Sequence, residues 1–172
     1  EAAAAVTTFL LAGRYVEAAP AEAATDSGMT PRRVVVQETR ASKFQQAVTV
    51  GPHHLTADEP VAAGGQDTGP GPYDFLLTGL GACTSMTMRL YAERKSIPLA
   101  RTTVTLQHSR IHAKDCEDCE TKEGMISKID RVIAMEGDLD DEQRKKLMEI
   151  ADKCQVHRTL TSEIKIVTTA KE

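Results

Sequence analysis

Tryptophan is absent from this 172-residue chain, and aromatic residues make up only 3% of it. Its core must therefore be built from aliphatic side chains. No apolar run approaches the ~20 residues of a membrane-spanning helix, and the first residues lack the basic flank of a secretory signal. No basic block is interleaved with aromatics, and the formal net charge is −4, which excludes a nucleic-acid polycation. Four cysteines are too few for a disulfide scaffold in a chain this long. A cytosolic setting is the expectation, and cysteines there are more often free, metal-bound or catalytic. No Gly-x-Ser-x-Gly elbow is present, so the chain is not itself a serine esterase of that type.

What is present is organised around one stretch, Gly69 to Lys95. It follows a Gly/Pro breaker cluster, and Pro72 suits a first helical turn. Leu76, Leu80, Cys83, Met86 and Leu90 recur at three- and four-residue steps and share a face. Gly79, Gly81, Ala82, Thr84 and Ser85 surround the cysteine with small side chains. Glycines inside a helix cost about 1 kcal/mol each relative to alanine, so a close backbone approach should compensate. Taken alone, Cys83 reads first as a small buried hydrophobe.

The rest falls into place around that helix. Residues 1–18 form an alanine-rich helical pattern and 19–31 a linker, so residues 1–31 are separated from a domain over 32–172. The N-terminal helix reads either as the tail of an upstream domain or as an extension ahead of Met29. Strands are expected at Arg33–Thr39 and Lys43–Val50, with a turn at Arg40-Ala41-Ser42, and near His53–Asp58. Beyond the central helix, Thr102–His112 alternates as a strand, with Val104, Leu106, His108, Arg110 and His112 on one face. Met125–Met135 returns. Asp138 is placed to cap a helix over Leu139–Lys153, and Ser162–Thr168 reads as a last strand. Strands, long helix, strands, short helix, strand is an α+β order with antiparallel, meander-like pairing.

Two cysteine groups remain. Cys154 follows the second helix beside Lys153, His157 and Arg158, and cationic neighbours favour thiolate. The same cluster also suits a helix C-terminus. His108-x3-His112-x3-Cys116-x2-Cys119 is rich in zinc-type ligands. His108 and His112 are about 13 Å apart by strand rise, so His112, Cys116 and Cys119 are the candidate metal ligands, with zinc the candidate ion. The competing readings are a solvated loop, given Asp115, Glu117, Asp118 and Glu120, and a regulatory Cys116–Cys119 disulfide.

The run Gly-Pro-x-Pro-Tyr-Asp…Gly-Ala-Cys83-Thr-Ser-Met-Thr, followed by Tyr-Ala-Glu-Arg-Lys, resembles the signature of the OsmC/Ohr family. Cys154-x-Val-His157 resembles that family's second motif, usually Cys-Pro-Val-His, with Gln155 in place of the proline. The resemblance spans residues 33–168. It implies antiparallel sheets around a long central helix, in an intertwined homodimer with active sites at the interface. It implies a thiol-dependent peroxidase acting on organic hydroperoxides, in which Cys83 attacks the peroxide and Cys154 resolves the sulfenic acid to a disulfide. A dihydrolipoyl-type dithiol would restore both thiols, and no cofactor is required.

The family activates its first cysteine with an Arg–Glu pair. Arg40, at the expected hairpin turn, is the candidate arginine. The glutamate position is Tyr73 here, and Asp74 stands one residue late, a rotation of ~100° on a helix. The first turn and the Asp115-Cys-Glu-Asp-Cys119 loop further resemble a subgroup fused behind an α/β-hydrolase. That makes a covalently linked hydrolase a candidate partner and residues 1–18 its last helix. The alternative to an enzyme is a binding or accessory module, zinc-bound through Cys116 and Cys119.

Overall fold

The computed structural model describes residues 32–171. The N-terminal helix and linker expected at 1–31 lie outside the described residues. Strands β1 (Val34–Glu38), β2 (Gln46–Val50) and β3 (His53–Ala57) form a three-stranded antiparallel sheet in that order. Helix α1 (Pro72–Arg94) follows, then β4 (Leu99–His112) and β5 (Met125–Gly137), which pair as a long antiparallel hairpin, then α2 (Asp141–Ala151) and α3 (Gln155–Leu160). The fold is α+β, with two antiparallel sheets and one long helix.

The core lies where α1 crosses the β4–β5 hairpin and meets α2. Met88, Ala92, Leu99, Leu147 and Ala151 are its buried members, flanked by Tyr91, Ile133 and Met135. Helix α2 is positioned by a reciprocal cap: Gln143 N–H donates to the Asp140 carboxylate at 2.7 Å, and Asp140 N–H to Gln143 Oε1 at 3.2 Å. The cap is thus Asp140 and not Asp138, because the helix begins at Asp141 and Gln143 answers Asp140 from three residues on. At the start of the same connection Gly137 has φ +134, and a side chain there would collide with the Pro98 carbonyl, so this corner requires glycine.

Between β3 and α1 the chain is pinned by Asp58. Its carboxylate is buried and accepts from Glu59 N–H, Gln66 N–H, Thr68 N–H and the Thr68 hydroxyl, at 2.8–3.3 Å. Burial pushes this carboxyl up, but the four donors outweigh it and the net direction is down. The Thr68 hydroxyl in turn accepts from Gln45 Nε2 at 2.8 Å, which ties the β1–β2 hairpin to the loop entering α1.

Two expectations are corrected. The buried stripe of α1 is Leu80, Gly81, Thr84, Met88 and Ala92, not Leu76–Met86–Leu90. Met86 is 70% exposed, and Leu76 and Leu90 are also exposed. Helical period groups residues onto faces, but it does not say which face the hairpin covers. Here the covered face is centred on Thr84, and a Cβ added to Gly81 would come within 2.8 Å of Leu106 Cδ1. Residues 162–168 form no strand, and Ile164, Ile166 and Val167 are exposed. A strand needs a neighbour to take its backbone hydrogen bonds, and no described strand of this chain pairs with that segment.

Candidate active site

The site forms where the middle of α1 meets the start of α3. Cys83 is part-buried on α1. Cys154 is fully buried and caps α3: its backbone is extended, and its sulfur accepts from His157 N–H at 3.3 Å. Sequence placed Cys154 just past a helix end, and it does lie three residues beyond Ala151. That short connection turns the chain so that the first amides of α3 point back at α1.

These amides meet Cys83. Burial pushes the Cys83 thiol up. Against it act the backbone N–H of Val156, the Cys154 side chain, the backbone N–H of Gln155 and the Thr87 hydroxyl, and together they hold it below its usual value of 9.0. Donors aimed at a sulfur stabilise its charged form. Both cysteines are free thiols, and the Cys154 side chain is one of the groups that hold the Cys83 thiol down. Two chain-distant free thiols that act on each other, one of them disposed to ionise, can perform a nucleophilic step followed by disulfide closure.

Behind Cys154 stands a polar cluster. The fully buried Thr84 hydroxyl donates to Leu80 O at 2.8 Å and lies 3.6 Å from Cys154 Sγ. Arg131, on β5, donates through Nη1 to the Thr84 hydroxyl at 3.2 Å and to Ala151 O at 3.4 Å, and through Nη2 to Asp152 Oδ1. His157 Nδ1 lies 3.7 Å from the same carboxylate oxygen. A groove of about 400 Å³ runs alongside, lined among others by Leu80, Ile129, Arg131, His157 and Leu160.

A model of the OsmC family, described as OsmC-like protein, matches residues 65–169. The chain belongs to the OsmC-like family. Solved structures with the OsmC-like fold align over most of their length. The organic hydroperoxide resistance protein OsmC of Legionella pneumophila is 16% identical, with a TM-score of 0.57, over 76% of this chain and 89% of its own. OhrB of Bacillus subtilis, an organic hydroperoxide resistance protein, is 20% identical, with a TM-score of 0.54, over 76% and 90%. An organic hydroperoxide resistance protein of Elizabethkingia anophelis is 16% identical, with a TM-score of 0.58, over 81% and 94%. At these identities the likeness shows the OsmC-like fold alone. A comparison with curated proteins finds no match.

Of the residues singled out from sequence, the structure brings together Cys83 and Cys154. It does not bring Arg40 or Asp74 to them. Arg40 sits in the β1–β2 turn with φ +62, its guanidinium exposed and paired with Glu38 at 3.4 Å. Asp74 accepts from Gly71 N–H at 2.8 Å and so caps its own helix; the one-residue offset turned it to that task. Tyr73, at the position where the OsmC-like pattern has glutamate, stacks on His108 with ring centroids 4.0 Å apart.

The zinc expectation is also corrected. Cys116 and Cys119 are joined as a disulfide, which leaves no thiolate pair for a metal. Among the described residues, no group of three or more His, Cys, Asp or Glu side chains could hold an ion, and His112 therefore has no companions.

Sequence reasoning missed Thr84, Thr87, Arg131 and Asp152. Arg131 did leave a signal, since it shares the alternation of Ile129, Ile133 and Met135 on the face of β5 turned to the helix. A charged residue in an apolar row is a residue with a partner. The α3 amides left none, because backbone donors have no sequence signature. Among the described residues no helix is long and apolar enough to cross a membrane.

Proposed function

We propose that this protein is a thiol-dependent peroxidase that reduces organic hydroperoxides through Cys83 and Cys154. The observation that carries the reading is a pair of free cysteines, distant in the chain, at a site where the Val156 and Gln155 amides, the Cys154 side chain and the Thr87 hydroxyl hold the Cys83 thiol below its usual value. The Cys83 thiolate attacks the terminal oxygen of the hydroperoxide. The O–O bond breaks, the alkoxide leaves and takes up a proton as an alcohol, and Cys83 becomes a sulfenic acid. The Cys154 sulfur then displaces the sulfenic oxygen, which departs as water with the Cys154 proton. A dithiol returns two electrons and two protons by exchange. No metal or organic cofactor enters this cycle. Regeneration of the dithiol by such exchange suits a reducing setting such as the cytoplasm.

In this reading the α3 amides do part of the work that the Arg–Glu pair does in the family pattern, and Tyr73 in place of glutamate is tolerated. Printed names of fold relatives, organic hydroperoxide resistance proteins, support the substrate class. We further propose a homodimer. Support comes from the exposed Met86 and Leu90 on α1, the exposed Val34, Val36 and Leu55 on the first sheet, and the unpaired Ile164–Val167 segment. A partner copy would cover all three, and could bring its own Arg40 to Cys83.

Thiol counting tests the function. Excess cumene hydroperoxide should remove two thiols from the wild-type protein, with a Cys83–Cys154 disulfide found by peptide mass spectrometry. Cys83→Ser should retain its remaining thiol, and Cys154→Ser should lose one. Survival of both thiols in the wild type sinks the reading.

A further inference from the structure

The Arg131 cluster lies one layer behind the reacting sulfurs, and the donor–acceptor balance within it has a definite outcome. Thr84 carries a single hydroxyl proton, which is spent on Leu80 O at 2.8 Å. One lone pair of the oxygen takes Arg131 Nη1–H at 3.2 Å. Toward Cys154 Sγ, 3.6 Å away, no hydroxyl proton remains, and Thr84 presents its second lone pair to that sulfur. Cys154 Sγ also accepts from His157 N–H at 3.3 Å. The sulfur is thus held by its contacts to the Thr84 hydroxyl and the His157 amide, which fix its place.

Arg131 itself cannot swing away. Its side chain is 15% exposed, and it is bound at three points, to Thr84, to Ala151 O and to Asp152. Two of these points, Ala151 O and the Asp152 carboxylate, lie at the start of the connection that leads into Cys154. A planar guanidinium bound at several points sets geometry in a way a flexible ammonium cannot. One residue therefore fixes both the backbone approach to Cys154 and the hydroxyl against which its sulfur rests.

We propose that Arg131, acting through Thr84, is a positioning residue for the resolving step: it holds the Cys154 sulfur against Cys83, so that the first oxidised form of Cys83 closes to a disulfide before it meets a second oxidant. The proposal rests on the two-cysteine reading above. The stakes are chemical. A sulfenic acid that waits is oxidised by a second peroxide to a sulfinic acid, which thiols do not reverse. Closure consumes the sulfenic acid and the Cys154 thiol and releases water. Over-oxidation instead transfers a second oxygen from peroxide to sulfur and releases a second alcohol. The fraction of Cys83 that ends as sulfinic acid therefore reports how long the sulfenic acid waited.

The test uses Thr84→Val, which keeps the shape and deletes the hydroxyl, Thr84→Ser, which restores it, and Arg131→Met. Each folded variant is titrated with cumene hydroperoxide, and Cys83 is scored by peptide mass spectrometry as disulfide or sulfinic acid. Thr84→Val and Arg131→Met should raise the sulfinic fraction at least fivefold at equal peroxide, and Thr84→Ser should return it to within twofold of wild type. A second arm uses diamide, which takes two electrons and two protons from a pair of thiols without peroxide. Each variant's rate of disulfide formation is divided by its own rate of Cys83 alkylation, and this ratio should fall at least fivefold in Thr84→Val and Arg131→Met. Wild-type ratios in both variants overturn the proposal. A protein that closes its disulfide with diamide but ignores hydroperoxide refutes the peroxidase reading and leaves the positioning role to be judged by the diamide arm alone.

Discussion

Replacing Gln155 by proline would remove one hydrogen-bond donor from Cys83 and almost nothing else. Gln155 is the first residue of α3, where proline is favoured because its missing N–H has no helical partner. Cys154 before it has φ −64 and ψ 145, the extended conformation that a residue preceding proline adopts. The Gln155 side chain is exposed, so little packing is lost. What disappears is the Gln155 N–H to Cys83, while the Val156 N–H remains.

A hydrogen bond to a charged group contributes about 1.5–3 kcal/mol. Cys83 is only part-buried, so solvent screening places this bond near the lower bound, which is roughly tenfold in the thiolate population. The sign follows from the charge: losing a donor disfavours thiolate, so the Cys83 titration moves to higher pH. Iodoacetamide alkylation of Cys83, followed by peptide mass spectrometry across pH, reads this directly. At acidic and neutral pH the Gln155→Pro rate should fall about tenfold, whereas the alkaline plateau should match wild type. The melting temperature should hold or rise, since a proline at this position restricts the unfolded chain. A profile that overlays wild type would show that the α3 amide does not stabilise the thiolate. A uniform loss at every pH, plateau included, would show that the substitution blocks access instead.

Other outcomes follow from the same geometry. Leu147→Ala, at a fully buried position packed against Met88 and Ala151, should cost about 2–5 kcal/mol, seen as a lower urea midpoint with little change in slope; a loss below half of that would mean the core is looser than described. Asp58 has a depressed carboxyl, so its contribution is present above the ordinary carboxylate value of 3.8 and is lost as pH falls through and below it; Asp58→Asn should flatten the acid limb of the stability curve, and an unchanged limb would contradict this assignment. A Cβ on Gly79 meets nothing within 4 Å in the single chain, so Gly79→Ala should stabilise an isolated copy by up to about 1 kcal/mol. Gly79→Arg should convert a dimer to monomer in sedimentation velocity if that face is the one a second copy covers, and a persistent dimer would place the interface elsewhere.

Much of this fold was legible because it is periodic. Alternation marked β2, β4 and β5, and the small-residue helix around Cys83 stood out by length. What periodicity could not decide was which face of α1 the hairpin covers, because residues one step apart on a helix lie at ~100° to each other and both candidate stripes are apolar. The Ser162–Thr168 segment has a strand's pattern, but a pattern supplies only one half of a ladder, and the other half is not a described strand of this chain. At the site, side-chain chemistry was readable and backbone chemistry was not. Cys83 and Cys154 carry their reactivity in their names; the Gln155 and Val156 amides that tune Cys83 are donors every non-proline residue possesses. Cys116 and Cys119 show the converse, since spacing suited to zinc suits a short disulfide equally well, and only the fold chooses between them.

The sulfur that caps α3 is also the sulfur that the proposed cycle consumes. Cys154 Sγ accepts the His157 amide at 3.3 Å, in a helix of only six residues, too short to be stable by itself. Bonding that sulfur to Cys83 pulls its lone pairs out of line, so every turnover would unfasten and refasten the start of α3. The chain thereby carries its own gauge of oxidation: hydrogen exchange at the single amide of His157 should be slow in the dithiol form and fast in the disulfide form.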